Sequence, residues 1–249
     1  MCGYNCLLAI WTLIGFSAIC CLFFVTAPYG RHEQPGWGRS IPSRLGWILM
    51  ESPAFYIMLI FFLAFRSTIN LAQIVLFALW ALHYFHRSFI WPFRAKISRK
   101  KIPALIVLMA FIFNCINTSF QGIWIFSFGD YTPKWIYGPQ FFLGLCAFLS
   151  GMYINVKSDN ILMALRRKNG PGYHIPKGFL FEKVSSPNYL GELTQWLGWA
   201  IMTWSLAGLV FFLWSLANLL PRAIAHHRWY KETFDDYPDN RKILVPGVF

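Results

Sequence analysis

Arg222, His226 and Tyr230 recur one helical turn apart, directly after an apolar run and directly before the acidic-aromatic stretch Phe234-Asp235-Asp236-Tyr237-Pro238. At i, i+4 and i+8 they share one helix face. Ionisable side chains stacked where a membrane-grade helix meets water mark a ligand or ion site, because stability alone gives no reason to place them there. An anionic cofactor is the expected occupant. Asn155, Asp159 and Arg166 follow the same logic. At i, i+4 and i+11, the second and third lie about 40° and about 20° from the first at roughly 100° per residue. Asn188 and Glu192 are again four apart. Guanidinium suits phosphate, carboxylate suits ribose hydroxyls and carboxamide suits an amide, so three helical ends together carry the mixture a dinucleotide needs. Each pair taken singly reads equally well as a polar contact that stabilises its own helix.

A second set lies earlier in the chain. Glu51 sits in the stretch 45–56, which is otherwise fit for hydrocarbon. A carboxylate there costs roughly 2.5 kcal/mol or more on insertion scales, so it should face a bundle interior and have a task. The alternative is an acid near enough to the helix start to reach the interface. Tyr84, in Leu82-His83-Tyr84-Phe85-His86-Arg87, is another polar tip in an apolar segment, and alone it would fit an aromatic belt. No Gly-x-Gly-x-x-Gly follows a strand and no Gly-x-x-x-x-Gly-Lys-Ser/Thr occurs, which excludes a Rossmann domain and a P-loop. The pairs His83/His86 and His226-His227 fall short of the roughly eight imidazoles of a membrane di-iron centre. With six histidines in all, no metal site is expected.

Positioning these groups falls to a chain that is 57% hydrophobic, 19% aromatic and 13% charged, with a mean hydropathy of +0.46. Charged residues make up about a quarter of an ordinary soluble protein, so this is an integral membrane protein. Apolar stretches near the length of about 20 residues that spans a bilayer leave little over for another domain, and residues 1–249 read as one all-α, polytopic membrane domain. The expected spans are 5–27, 45–65, 68–90, 102–128, 135–156 and a long run from 189 to about 220, which suits a tight hairpin. That makes seven transmembrane helices.

Lys and Arg sort by the loops between these spans. Arg31, Arg39 and Arg44 fall in the first, Arg66 in the second, and Arg87, Arg94, Lys96, Arg99, Lys100 and Lys101 in the third. Lys134 falls in the fourth, Lys157, Arg166, Arg167, Lys168, Lys177 and Lys183 in the fifth, and Arg222, Arg228, Lys231, Arg241 and Lys242 in the tail. The division is 20 against 2, which by the positive-inside rule puts the odd loops and the C-terminus in the cytoplasm and the N-terminus outside. The net charge of +12 and pI near 9.6 are accounted for in this way and form no stripe for nucleic acid. The third loop, 87–101, is read either as a headgroup anchor for anionic lipid or as a cofactor-phosphate contact. The fifth breaks at Asn169-Gly170-Pro171-Gly172 and reads as turns and a surface lid. No basic residue precedes Arg31, so the first apolar segment is expected to be a retained helix. The cysteines Cys2, Cys6, Cys20, Cys21, Cys115 and Cys146 make no Cys-x-x-Cys pair and are expected as buried small hydrophobes.

Several stretches together carry a family likeness: Met50-Glu51-Ser52-Pro53-Ala54-Phe55, His83-Tyr84-Phe85-His86-Arg87, Gly151-Met152-Tyr153-Ile154-Asn155-Val156-Lys157-Ser158-Asp159, Asn188-Tyr189-Leu190-Gly191-Glu192, Arg222 to Tyr230, and Phe234 to Pro246. On these the chain resembles the steroid 5α-reductase family of membrane enzymes over nearly its whole length. The C-terminal stretches alone also look like sterol reductases, enoyl-CoA reductases and isoprenylcysteine methyltransferases.

The resemblance implies an NADPH-dependent oxidoreductase that reduces the Δ4 bond of 3-oxo-Δ4-steroids. It implies that Asn155, Asp159, Arg166, Tyr173, Asn188, Glu192, Arg222, His226 and Tyr230 hold the cofactor, within a C-terminal half of about 135–249. Glu51 and Tyr84 would hold the 3-oxo group and Trp47 would line the steroid pocket, within an N-terminal half of about 1–130. Met50 stands where relatives often carry Gln, a departure that bears on substrate fit. A lipid-embedded monomer is expected, in the inner membrane of a bacterium or the endoplasmic reticulum of a eukaryote, with its cofactor site cytoplasmic. Charge developing on the carbonyl oxygen during hydride addition calls for preorganised donors. Tyr84 is one, and Glu51 is another if desolvation keeps it protonated. Reduction of another activated alkene, such as an enoyl-CoA or a polyprenoid, would use the same cofactor chemistry. A membrane methyltransferase and a small transporter are the remaining alternatives.

Overall fold

The computed structural model describes residues 1–24, 36–95, 97, 100–170 and 172–249. Residues 25–27 of the first expected span, together with Arg31, Lys96, Arg99 and Pro171, lie outside them. Ten elements follow in order: α1 (Cys2–Phe24), β1 (Ser40–Pro42), α2 (Ser43–Ala64), α3 (Leu71–Phe85), α4 (Trp91–Arg94), β2 (Lys101–Pro103), α5 (Ala104–Ile123), α6 (Pro139–Asn169), α7 (Pro187–Thr203) and α8 (Leu206–Thr233). Among the described residues six helical segments are long and apolar enough to cross a membrane: Cys2–Phe24, Ser43–Ala64, Leu71–Arg94, Ala104–Phe128, Pro139–Asn169 and Leu206–Thr233. The protein is a polytopic, mostly helical membrane protein. The run expected as a hairpin divides at Trp204, whose φ of 45° is in the left-handed region and reverses the chain. It yields α8 and a shorter α7 of 17 residues.

Two sequence expectations are corrected. Arg87 and Arg94 are not in a loop, because α3 continues through a π-helical turn, His86–Ile90, into α4. The cysteines are not buried: Cys2, Cys6, Cys20, Cys21 and Cys146 are exposed and Cys115 is half-buried, all as free thiols. They lie on helix surfaces, where lipid is as apolar a neighbour as a protein core. Helix α6 also runs well past 156, to Asn169. Hydropathy falls at its first charges, but no Gly or Pro occurs between Val156 and Gly170, so Asn155, Asp159 and Arg166 share one uninterrupted helix.

The chain forms two compact units. The first comprises Met1–Leu8, Ala27–Phe142 and Thr203–Ala207. Here Asn70 caps α3: its Oδ1 accepts the N–H groups of Ala72 (2.9 Å) and Gln73 (3.3 Å), while Gln73 Oε1 accepts the Asn70 N–H. Helices α2 and α3 run antiparallel, joined where Trp80 Nε1 donates to the Ala54 carbonyl at 2.9 Å. Helix α5 is pinned to α2 by Asn114 Nδ2, which donates to the Met50 carbonyl at 2.7 Å. Strands β1 and β2 pair antiparallel, Ile41 opposite Ile102, and lead into α2 and α5. Met50, Ile102, Ile106 and Val107 form the core beneath them, with Trp47 packed against it.

The second unit comprises Ala9–Thr26, Leu143–Met202 and Gly208–Phe249. Its frame is the crossing of α6 and α7 through glycines. A Cβ at Gly144 would strike the backbone of Gly198 and Met202, one at Gly151 that of Gly191 and Gln195, and one at Gly191 that of Gly151 and Asn155. Each helix thus presents two glycines seven residues apart to the other, the small-residue packing by which membrane helices approach closely. Phe148, Trp196 and Trp199 fill the space beside the crossing and are almost wholly buried. The tail returns along Lys183–Ser185: Ser185 N–H donates to the Lys242 carbonyl and Lys242 N–H to the Lys183 carbonyl, both at 2.9 Å. Leu244 then packs with Leu193, Leu219 and Ala223.

Candidate functional site

Two sets of polar side chains stand inside apolar helices, one in each unit. In the first unit Glu51 lies on α2 with its side chain 17% exposed. Pro53, two residues on, has no N–H and cannot serve the Leu49 carbonyl. Arg87 Nη2 is 3.6 Å from Glu51 Oε1, and its side chain is only 10% exposed. The guanidinium lies 5.0 Å from the Trp47 ring centre and 5.1 Å from that of Trp91, and the two indoles are themselves 4.5 Å apart. The Trp80–Ala54 bond and the Arg87–Glu51 pair set the register of the two antiparallel segments. It puts the turn bearing Tyr84 across from the turn bearing Glu51. Tyr84 is buried and packs on Trp80 at 4.8 Å.

Glu51 can donate to a ketone only through a protonated carboxyl, and Arg87 is the cation that the structure sets beside its Oε1. Arg87 joins this polar set although its charge at the end of an apolar run suggested a loop. Its spacing from Tyr84, i and i+3, was the available signal.

In the second unit, Asn155 Nδ2 donates to the Asn188 carbonyl at 3.0 Å and reaches Glu192 Oε2 at 3.5 Å. Asn188 Nδ2 reaches Asp159 Oδ1 at 3.5 Å. Four of the residues singled out by spacing therefore form one network across the glycine crossing. On α8, Arg222 Nε donates to the Tyr189 hydroxyl at 2.8 Å, and His226 stacks on the same ring at 5.4 Å. Tyr189, next to Asn188, thus joins that face to α7. It was not picked out from the sequence, where an aromatic beside Asn188 looks like membrane filling.

Tyr230 stacks on Tyr237 at 5.1 Å with an interplanar angle of 8°. Tyr237 is held by the Ser185 hydroxyl at 2.7 Å, and that hydroxyl also meets His227 Nδ1 at 2.6 Å. Burial pushes the Tyr237 phenol up, against the lowering effect of its bonds to Ser185 and Arg241. The acidic-aromatic tail is therefore what fixes Tyr230. Tyr173 reaches the same helix through Trp229, ring to ring at 5.2 Å. Arg166 lies half-buried further along α6, and no hydrogen bond or ion pair among the described residues joins it to the network.

A polar ligand fits this donor set. Ser158 Oγ beside Asp159 and Ser186 Oγ beside Asn188 are buried and have no hydrogen-bond partner among the described residues. Such atoms cost free energy unless something satisfies them. Carboxamides, carboxylates, a guanidinium and hydroxyls in one place match the parts of a dinucleotide.

Buried polar side chains set in long apolar helices mark a candidate site in an integral membrane protein. The chain belongs to the 3-oxo-5-alpha-steroid 4-dehydrogenase (steroid 5α-reductase) family, whose family model matches residues 100–249. It is 42% identical over 235 residues to steroid 5-alpha-reductase DET2 of Arabidopsis thaliana, covering 92% of this chain and 90% of the relative. It is 40% identical over 252 residues to 3-oxo-5-alpha-steroid 4-dehydrogenase 1 of Rattus norvegicus, covering 100% and 96%. The human protein of the same name is 36% identical over 226 residues, covering 89% and 86%. The protein is an oxidoreductase, a steroid reductase by family, and the family implies a nicotinamide cofactor.

Proposed function

We propose that this protein uses NADPH to reduce the Δ4 bond of 3-oxo-Δ4-steroids to 5α-dihydrosteroids. The observation that carries the cofactor assignment is the network of Asn155, Asp159, Asn188 and Glu192, with two unsatisfied serine hydroxyls beside it. Arg222, His226, Tyr230, Arg166 and Tyr173 complete the cofactor residues, Arg222 and Arg166 meeting phosphate and the carboxylates meeting ribose hydroxyls. When bound, the nicotinamide supplies hydride for C5 of the enone.

The first unit's residues serve the ketone. As the electron pair of the C4–C5 double bond shifts toward the 3-oxo oxygen, Tyr84 donates a hydrogen bond to the charge that builds there. Glu51, through a protonated carboxyl, is the second donor to the 3-oxo group and Trp47 lines the steroid's path. A proton from water or a nearby acid completes the product at C4. The arrangement is a monomer with seven transmembrane helices, N-terminus outside, and with the cofactor bound from the cytoplasmic side to the C-terminal half.

Purified protein given NADPH and progesterone or testosterone should consume the reduced nicotinamide absorbance and yield the 5α product. Consumption with an enoyl-CoA or a polyprenoid, but not with the steroids, would overturn the substrate assignment. Arg222→Ala should weaken NADPH binding about 10- to 100-fold, the worth of a charge-assisted hydrogen bond of about 1.5–3 kcal/mol, and leave steroid affinity nearly unchanged. Fluorescence titration with NADPH, set beside steroid binding, checks this. An unaltered cofactor affinity would remove Arg222 from the set.

A further inference from the structure

We propose that Arg87 is a positioning residue for the reaction, holding the Glu51 carboxyl in the orientation from which it meets the 3-oxo group. The proposal rests on the assignment of Glu51 to that group. Two pairs, each spaced four residues along its helix, interlock: Trp47 and Glu51 on α2 face Trp91 and Arg87 on the segment after α3. Indole meets indole at 4.5 Å and guanidinium meets carboxylate at 3.6 Å. Arg87 is therefore held from two directions. Its planar group lies in reach of both ring faces, 5.0 and 5.1 Å from the ring centres, while its charge lies on Glu51 Oε1.

The local backbone is arranged for this contact. Residues His86–Ile90 form a π-helical turn, closed by the Trp91 N–H on the His86 carbonyl. Such turns insert a residue into a helix and cluster at functional sites. The inserted residue alters where the following side chains fall around the helix axis, and Arg87 and Trp91 are the two that meet α2.

Energetics point the same way. A buried ion pair contributes little net stability, since desolvation of both charges offsets their attraction, and an apolar pair of similar size would serve packing as well. Inside a membrane the argument is stronger, because an ionisable residue there is expensive and its retention indicates a task. A carboxyl with a flexible two-carbon stem needs an anchor if it is to meet a ketone reproducibly, and the misplacement of a reacting partner by about 1 Å can cost about 10²-fold.

The test is a double-mutant cycle with Glu51→Leu, Arg87→Met and the combined variant, each also titrated with NADPH. Methionine keeps an apolar stem beside the two indoles and removes the charge. The expected result is a fall in kcat of about tenfold or more for Arg87→Met, a smaller change in steroid KM, and an unchanged NADPH affinity. In the Glu51→Leu background the same substitution should cost less than about threefold, because the group it positions is gone. Arg87→Lys, which keeps the charge without the plane, should recover part of kcat, and it carries the cycle if the methionine variant does not fold. Full activity in Arg87→Met, or losses that multiply independently of Glu51, would overturn the proposal. If Glu51→Leu alone is fully active, it is the assignment of Glu51 to the ketone that falls.

Discussion

Tyr84→Phe should lower kcat about 10²- to 10³-fold and leave NADPH affinity where it was. The substitution deletes one oxygen from a side chain that is 3% exposed and packed against Trp80 and His83, so the ring and its contacts stay in place. What disappears is a hydrogen-bond donor opposite the turn that carries Glu51. Loss of one preorganised donor to a developing oxyanion typically costs that factor, equivalent to about 2.7–4 kcal/mol, because nothing in an apolar site replaces it. Steroid KM should move little, since a ground-state ketone takes less from the donor than the charged oxygen does. Single-turnover oxidation of NADPH in the presence of testosterone, with cofactor binding measured separately, reads both quantities. A Tyr84→Phe enzyme with undiminished turnover would take Tyr84 out of the chemistry.

The residues that were legible in the sequence are those whose cost betrays them. Glu51 stood out because a carboxylate in an apolar stretch is expensive, and Asn155, Asp159, Asn188 and Glu192 because four-residue spacing stacks them on a helix face. The structure joins the last four in one network. Arg87 escaped because a basic residue at the end of an apolar run looks like interfacial charge, whereas it lies buried within a π-helical turn. Tyr237 and Ser185 escaped because their partners lie 42 to 57 residues away, a separation that no local pattern records. The cysteines misled for the opposite reason. In a bilayer, hydrophobicity does not distinguish the lipid side of a helix from its packed side.

The glycines were the least legible feature and have the largest structural consequence. Asn155 reaches Asn188 and Glu192 only because α6 and α7 approach closely enough for backbone to meet backbone at Gly151 and Gly191. At Gly191 the obstacle to a side chain is the Asn155 backbone itself, which has no rotamer to change. Gly191→Leu must therefore push the helices apart, and a displacement of even 1 Å takes a 3.5 Å contact beyond hydrogen-bonding range. Several of the contacts proposed to hold the cofactor fail together rather than one, so the loss of NADPH affinity should exceed about 100-fold. Gly191→Ala, with a single methyl to accommodate, should fall between, at the cost of about 1–3 kcal/mol that overpacking usually carries. Gly3→Ala is the control, since nothing lies within 4 Å of its added carbon. NADPH titration and thermal melting of the three variants in detergent should rank them Gly3→Ala, Gly191→Ala, Gly191→Leu in order of increasing loss. If Gly191→Leu bound the cofactor as tightly as the unaltered chain, close approach of α6 and α7 would not be what assembles these carboxamides and carboxylates.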